Sequence, residues 1–317
     1  MNETSEIAFF ERVVDLYNAL EIPIQQDSQF SMNSLLEMHQ TFPYKSPVFR
    51  TNYYSFIFIK DGKGNYTTDE QTFEYDSRTI YFTNPGHIKA FEFYELKEAY
   101  LITFSEEFLK TNIHQNIFLD LPFLLSETVP PQNPNKQQYQ EIETIYLQIL
   151  NEYRNNSLYK EKIIGSLLVA LLLKIKALFW QNYYPLEEGN NQSRIVKRFK
   201  ENLEKHYKDL AENKADRVFQ PLDYANLQQL NSSYFSQVIK SKTGKSPSSW
   251  INGRSTSYAK ALLKHTAKSV KEITFSLGFA ETAHFSNFFK KQTGVSPSAY
   301  RKKMALKNLQ DKLKLTQ

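Results

Sequence analysis

The sequence of 317 residues contains no cysteine. That absence excludes a disulfide scaffold, a thiolate-bound zinc site and any cysteine nucleophile. Long apolar runs are missing too. The most apolar stretch, residues 167–179, is interrupted by Lys174 and Lys176. It is also short of the ~20 residues that span a bilayer. No Lys/Arg-led apolar segment opens the chain, so no secretory signal is expected and the protein reads as soluble and cytoplasmic, with no membrane partner. Closely spaced metal ligands are lacking: His87 follows Pro85-Gly86 with no second His nearby, and His39 and His114 lie far off. A metal gripped from adjacent strands needs such spacing, so neither metal nor cofactor is expected. No nucleophile–base constellation is visible, and the chain is not expected to be an enzyme.

What is present is unevenly distributed. The first 193 residues carry 15 Lys+Arg against 25 Asp+Glu, a net of −10, while residues 194–317 carry 24 against 9, a net of +15. An acidic body joined to a basic head suits a protein that holds a polyanion with one end. The length suffices for two domains. Phe and Tyr, 24 and 20 of them, supply bulk for the interior of a sheet-rich portion.

Residues 30–105 alternate short apolar runs with turn residues. Strands are expected over 53–59, 79–83, 89–94 and 100–104, with a hairpin turn at Asp61-Gly62 and Gly64, and another turn at Asn84-Pro85-Gly86. Such a pattern argues for an antiparallel barrel or jelly roll. Tyr54, Phe56, Phe58, Tyr81, Phe82, Phe91 and Phe93 either fill its core or line a pocket. Two helices follow. Tyr139, Ile142, Tyr146, Ile149 and Tyr153 recur at three- and four-residue steps, as do Ile164, Leu168, Leu171, Ile175 and Leu178. Their apolar face either covers the barrel or pairs with a second copy of the chain. The polar segment 185–193, where the charge changes sign, is the best linker.

Beyond it, residues 269–301 form a short helix, a turn at Gly278 and a second helix over 282–293 with Phe285, Phe288 and Phe289 inward. The outward residues Thr282, Ala283, His284, Ser286, Asn287, Lys290 and Lys291 make a polar, basic face of the kind that enters a DNA major groove. This unit has an echo. Residues 234–250, YFSQVIKSKTGKSPSSW, match 284–300, HFSNFFKKQTGVSPSAY, at an offset of 50, with eight identities in seventeen positions. Residues 251–264 would form a linking helix. Two units on one rigid helix can place their recognition helices in successive major grooves.

Residues of about 195–303 resemble the DNA-binding domain of the AraC/XylS family of bacterial transcription regulators. The resemblance is carried by Ala225, Tyr234-Phe235-Ser236, Lys240, Gly244 and Pro247, and by Arg254, Ala259 and Leu262-Leu263. In the second unit it is carried by Ile273, Gly278-Phe279, Phe285, Phe288 through Lys291, Gly294, Pro297 and Tyr300-Arg301. It implies a multidomain α+β chain. A cupin-like antiparallel β-barrel over 1–125 would sense a signal, a helical hairpin over 126–184 would dimerise, and 185–193 would link them to the head. A tandem helix-turn-helix domain over 194–306 would bind DNA, followed by a tail over 307–317. The implied partners are double-stranded DNA, a second copy of the chain, a small-molecule effector at the barrel and, for an activator, RNA polymerase. A cupin-type enzyme with an appended DNA-binding domain is the alternative.

The resemblance places base-edge contacts on Ser233, Ser236 and Gln237 in the first unit, and on Thr282, Ala283, His284 and Asn287 in the second. Lys240, Lys290 and Lys291 fall to phosphates, where a cation positions without reading sequence. The chain departs from the family at several places. Gln237 and Asn287 stand where Arg is frequent, Thr274 where Ala is usual, and Asn231 where Ser commonly caps. Amide side chains pair best with adenine, so A·T-leaning sites are expected.

Overall fold

The computed structural model describes residues 7–24, 28–39, 41–68, 71–112, 117–125, 131–155, 157–179 and 191–313. The chain divides into two compact units, Met1–Ser193 and Arg194–Gln317.

The first unit contains strands β1 (Ala8–Phe10), β2 (Phe30–Ser34), β3 (Tyr44–Lys45), β4 (Phe49–Thr51), β5 (Tyr54–Thr68), β6 (Gln71–Tyr75), β7 (Thr79–Thr83) and β8 (Ile88–Phe104). Helices α1 (Val13–Ala19) and α2 (Leu35–Met38) interrupt the early strands, and α3 (Glu106–Asn112), α4 (Ile117–Asp120), α5 (Lys136–Arg154) and α6 (Lys160–Phe179) follow the last one. The frame is the antiparallel pair β5·β8, in register from Tyr54↔Phe104 to Thr68↔Lys89.

No hairpin forms at Asp61-Gly62. The strand runs through, with register shifts between Ile59/Asp61, Asp61/Gly62 and Lys63/Gly64. Gly62 and Gly64 serve close approach instead of a turn: a Cβ on Gly64 would lie 2.0 Å from the Glu92 carbonyl oxygen, and one on Gly62 2.8 Å from that of Glu95. For the same reason the two strands expected over 89–94 and 100–104 are one, β8. Bulges bend a strand, and here they divide the sheet. Strand β7 pairs with Ser55–Ile59 and β2 with Tyr100–Phe104 on one side, while β6 pairs with Gly64–Thr68 on the other. The halves fold towards each other, Tyr66 stacking on Tyr81 with ring centroids 4.6 Å apart.

The strand path β1-β4-β8-β5-β6 is open among the described residues, and β1·β4 is parallel. The expected closed antiparallel barrel is therefore a folded-over, open sheet. Closure would require the edge strands to hydrogen-bond each other with a fixed shear, and the three-residue β1 is paired to β4.

Strand alternation sends side chains to two cores. Tyr54, Phe56, Phe58, Phe82, Ile102 and Phe104 face the helices, where Ile142, Tyr146, Ile149, Ile164, Leu168, Leu171 and Ile175 are buried. The Phe58 and Tyr146 rings lie 4.7 Å apart. The regular apolar seam of α5 and α6 thus covers the sheet. Ile57, Tyr66, Tyr81, Phe93 and Leu101 face the interior of the fold.

The second unit is all helical: α7 (Asn191–Ala211), α8 (Pro221–Leu227), α9 (Ser232–Thr243), α10 (Pro247–His265), α11 (Val270–Ser276), α12 (Thr282–Thr293) and α13 (Pro297–Leu313). Of the expected linker, 185–190 lie outside the described residues and 191–193 begin α7; α13 continues into the expected tail. One core joins Val196, Phe199, Leu203 and Tyr207 of α7 to Phe235 and Ile239 of α9, Ala259 and Leu263 of α10, and Phe285 and Phe289 of α12.

Candidate nucleic-acid interface

Helices α9 and α12 are each twelve residues long and are built alike. Both end on a left-handed glycine, Gly244 at φ 74° and Gly294 at φ 79°. Before each glycine a threonine hydroxyl donates back one turn, Thr243 to the Ile239 carbonyl at 2.7 Å and Thr293 to the Phe289 carbonyl at 2.8 Å. After each comes a serine that accepts from the next helix, Ser246 from the Ser249 amide at 3.2 Å and Ser296 from the Ala299 amide at 3.3 Å. A proline at the first position of the following helix completes the stop. Four of the eight residues repeated at the 50-residue offset, Thr243, Gly244, Ser246 and Pro247, thus set where the helices end and not what they read.

The inward faces are fixed by Phe235, Val238 and Ile239 in α9 and by Phe285 and Phe289 in α12, all buried. Phe288 is only partly buried, resting against Phe279 with ring centroids 5.3 Å apart. The opposite faces are then set by helical geometry. On α9, Ser233, Gln237 and Lys240 are exposed and Ser236 half-buried. On α12, Ala283, His284, Asn287, Lys290 and Lys291 are exposed and Thr282 half-buried. All ten residues named from the sequence therefore lie on the outer sides of these two helices. Tyr234 is also exposed on α9, at 42%. It occupies on α9 the place of His284 on α12, a correspondence already present in the repeat.

The N-termini differ. Asn231 caps α9, its side-chain oxygen accepting from the Ser233 amide at 2.9 Å and the Tyr234 amide at 3.3 Å. Glu281 stands at the same place on α12 and makes no cap hydrogen bond. Its carboxylate is 3.9 Å from His284 Nε2, an exposed contact of little energetic weight.

The entry turns differ as well. Gly278 takes φ 72° between α11 and α12, whereas Gln229 takes φ 56° between α8 and α9. A Cβ on Gly278 would come 3.2 Å from the Arg217 side chain. The segment before α8 therefore packs on the turn between α11 and α12 and ties the α8–α9 pair to the α11–α12 pair. Arg217 grips both Asp223 oxygens at 2.8 Å. The Arg217 hydrogen bonds hold the Asp223 pKa down to about 2, against the opposing effect of burial. His206 stacks on Phe219 at 3.8 Å, with Nε2 3.0 Å from the Arg217 carbonyl oxygen and 3.1 Å from the Phe219 amide nitrogen. The ring nitrogen can serve one of these contacts as donor or the other as acceptor. Burial pushes its pKa down.

Among the described residues no group of three His, Asp or Glu could hold a metal ion, and no helix is long and apolar enough to cross a membrane.

A family model described as a helix-turn-helix domain matches residues 224–303, which begin in α8 and run through α9 and α12 into α13. The chain is similar to the arabinose operon regulatory protein of Salmonella typhimurium (strain LT2), 26% identical over 168 residues, 53% of this chain and 56% of that one. It is also similar to the HTH-type transcriptional regulator MtrA of Neisseria gonorrhoeae, 42% identical over 64 residues, 20% of this chain and 21% of that one. The chain spans about half the length of the arabinose regulator it matches. Among solved structures, ToxT from Vibrio cholerae aligns with 86% of this chain and 98% of its own, at 16% identity and a TM-score of 0.36.

Proposed function

We propose that this chain, whose residues 224–303 are a helix-turn-helix domain of the AraC/XylS kind, is a sequence-specific DNA-binding transcription regulator. The observation that carries the reading is the pair α9 and α12. Each presents a polar outer face with a lysine one turn from its end, in a unit that carries a net charge of +15 over residues 194–317. Ser233, Ser236, Gln237, Thr282, Ala283, His284 and Asn287 would meet base edges, and Lys240, Lys290 and Lys291 phosphates. Tyr234 joins the first group. The turn contact at Gly278 and the shared core supply the rigidity that two simultaneous groove insertions require.

The first unit would be the regulatory part, taking a small effector inside its folded-over sheet. The chain would act as a dimer, with RNA polymerase a further partner at promoters it activates. Binding of a selected DNA site, followed by fluorescence anisotropy, tests the reading. Asn287→Ala should weaken that site by ~1–3 kcal/mol and relax the preference at one base pair. Unchanged affinity and preference would remove Asn287 from the base-reading set.

A further inference from the structure

The two candidate reading helices open differently. Neither α9 nor α12 contains an acidic residue of its own. Glu281, the residue just before α12, brings a carboxylate to that end. The backbone there is extended, φ −138° and ψ 143°, and the side chain makes no cap hydrogen bond. At the same place on α9 the Asn231 side chain is spent on the Ser233 and Tyr234 amides. The Glu281 side chain is 68% exposed, as is that of His284 one turn on, and Oε2 stands 3.9 Å from His284 Nε2. The lysines of α12, Lys290 and Lys291, lie in its last turn, at the other end.

A carboxylate turned towards DNA is repelled by the phosphates and offers only acceptors. The base groups that answer it in the major groove are amino donors, cytosine N4 and adenine N6. His284 beside it supplies a ring N–H donor. An acceptor and a donor 3.9 Å apart match the amino donor and carbonyl acceptor of one base pair, which are about 3 Å apart because they hydrogen-bond each other. Both C·G and A·T offer such a pair, N4 with O6 and N6 with O4. The flanking groups decide between them. Beside adenine N6 stands the N7 acceptor, which opposes a carboxylate, and beside thymine O4 stands a methyl group, which gives a donor nothing. Cytosine N4 has no acceptor beside it, and guanine O6 has N7, a second acceptor for the imidazole.

We propose that Glu281 and His284 together read one C·G base pair at the edge of the element bound by α12, Glu281 accepting from cytosine N4 and His284 donating to guanine. The inference rests on the reading of α12 as a DNA-recognition helix and gives that helix a further specificity residue. It sets one C·G pair in an otherwise A·T-leaning element. Helix α9 has no equivalent, because Asn231 is committed to its cap and Tyr234 takes the place of His284.

The test is site selection from random duplex DNA with the full chain, followed by anisotropy on duplexes that differ only at that base pair. The parent should enrich C·G at one position of the element that Asn287→Ala relaxes, and bind it about 5- to 100-fold tighter than the other pairs. Glu281→Ala should erase this preference and leave the rest of both elements unchanged, which also shows that the variant is folded. Glu281→Gln should turn the preference to adenine, because an amide pairs with N6 and N7 together. Enriched elements without a C·G position, or a C·G preference that survives Glu281→Ala, would overturn the inference and leave the DNA-binding reading standing. Tighter binding of every duplex by Glu281→Ala with the preference intact would reduce Glu281 to phosphate repulsion and overturn it as well. Enrichment of no element would remove both readings.

Discussion

Arg254 Nε lies 3.1 and 3.2 Å from the two carboxylate oxygens of Glu204, and both side chains are less than a tenth exposed. The guanidinium also sits 4.8 Å over the Tyr207 ring, and the Tyr207 hydroxyl contacts Ser255 and donates to the Ile251 carbonyl. This cluster locks α7 to α10, the helix that joins the two candidate reading units.

Breaking one side of such a pair leaves an uncompensated buried charge. Glu204→Gln should therefore lower the stability of the second unit by about 3–5 kcal/mol in urea unfolding. Replacing both residues with Leu and Met should recover most of that loss, because well-packed apolar side chains substitute for a buried ion pair. A double variant as unstable as the single one would show that packing around α7, and not the charge, is at stake.

Lys89 gives a pH dependence of definite sign. It is fully buried, donates to Thr83 Oγ1 at 3.0 Å and lies over the Phe49 ring at 5.5 Å. Desolvation brings its pKa down to about 7. The unfolded chain, with a lysine near the usual value of about 10.4, then binds more protons than the folded one between those values. Stability of the first unit should rise as pH increases from about 7 to about 10, and the penalty should be fully present below 7. Lys89→Met should raise the melting temperature at pH 7 and abolish this contribution to the slope. A parent and variant with parallel profiles would place the proton elsewhere.

The surface of α6 bears on self-association. Ile164, Leu168, Leu171 and Ile175 are consumed by the sheet, but Ile163, Ser166, Ala170, Leu173 and Ala177 remain exposed at alternating three- and four-residue steps. That spacing, with small residues between Ile163 and Leu173, suits a helix packing against its own copy. The chain is expected to sediment as a dimer and Leu173→Glu as a monomer. A dimer unaffected by this substitution would move the interface away from α6.

The second unit was legible in the sequence because its repeat is made of residues with fixed local duties. Thr243, Gly244, Ser246 and Pro247, and their counterparts 50 residues on, end one helix and begin the next whatever surrounds them. The C-terminal end of α12 follows from them. The first unit was harder to read. Gly62 and Gly64 look like a turn, because a glycine for positive φ and a glycine for close strand approach are the same letter. Periodicity in α5 and α6 showed that a face is buried, but not whether a sheet or a second chain covers it. Alternation could not tell that Phe82 turns to the helices while its neighbour Tyr81 turns into the interior of the folded sheet. Which side of a two-faced strand meets which layer is a tertiary fact.

In the proposed function α9 and α12 read DNA together. Selection of binding sites from random duplex DNA by the full chain tests it most directly. Two short, A·T-leaning elements are expected about one helical turn apart, roughly 10–10.5 base pairs between centres, with Gln237→Ala relaxing one and Asn287→Ala the other. Enrichment of a single element, or of none, would contradict it.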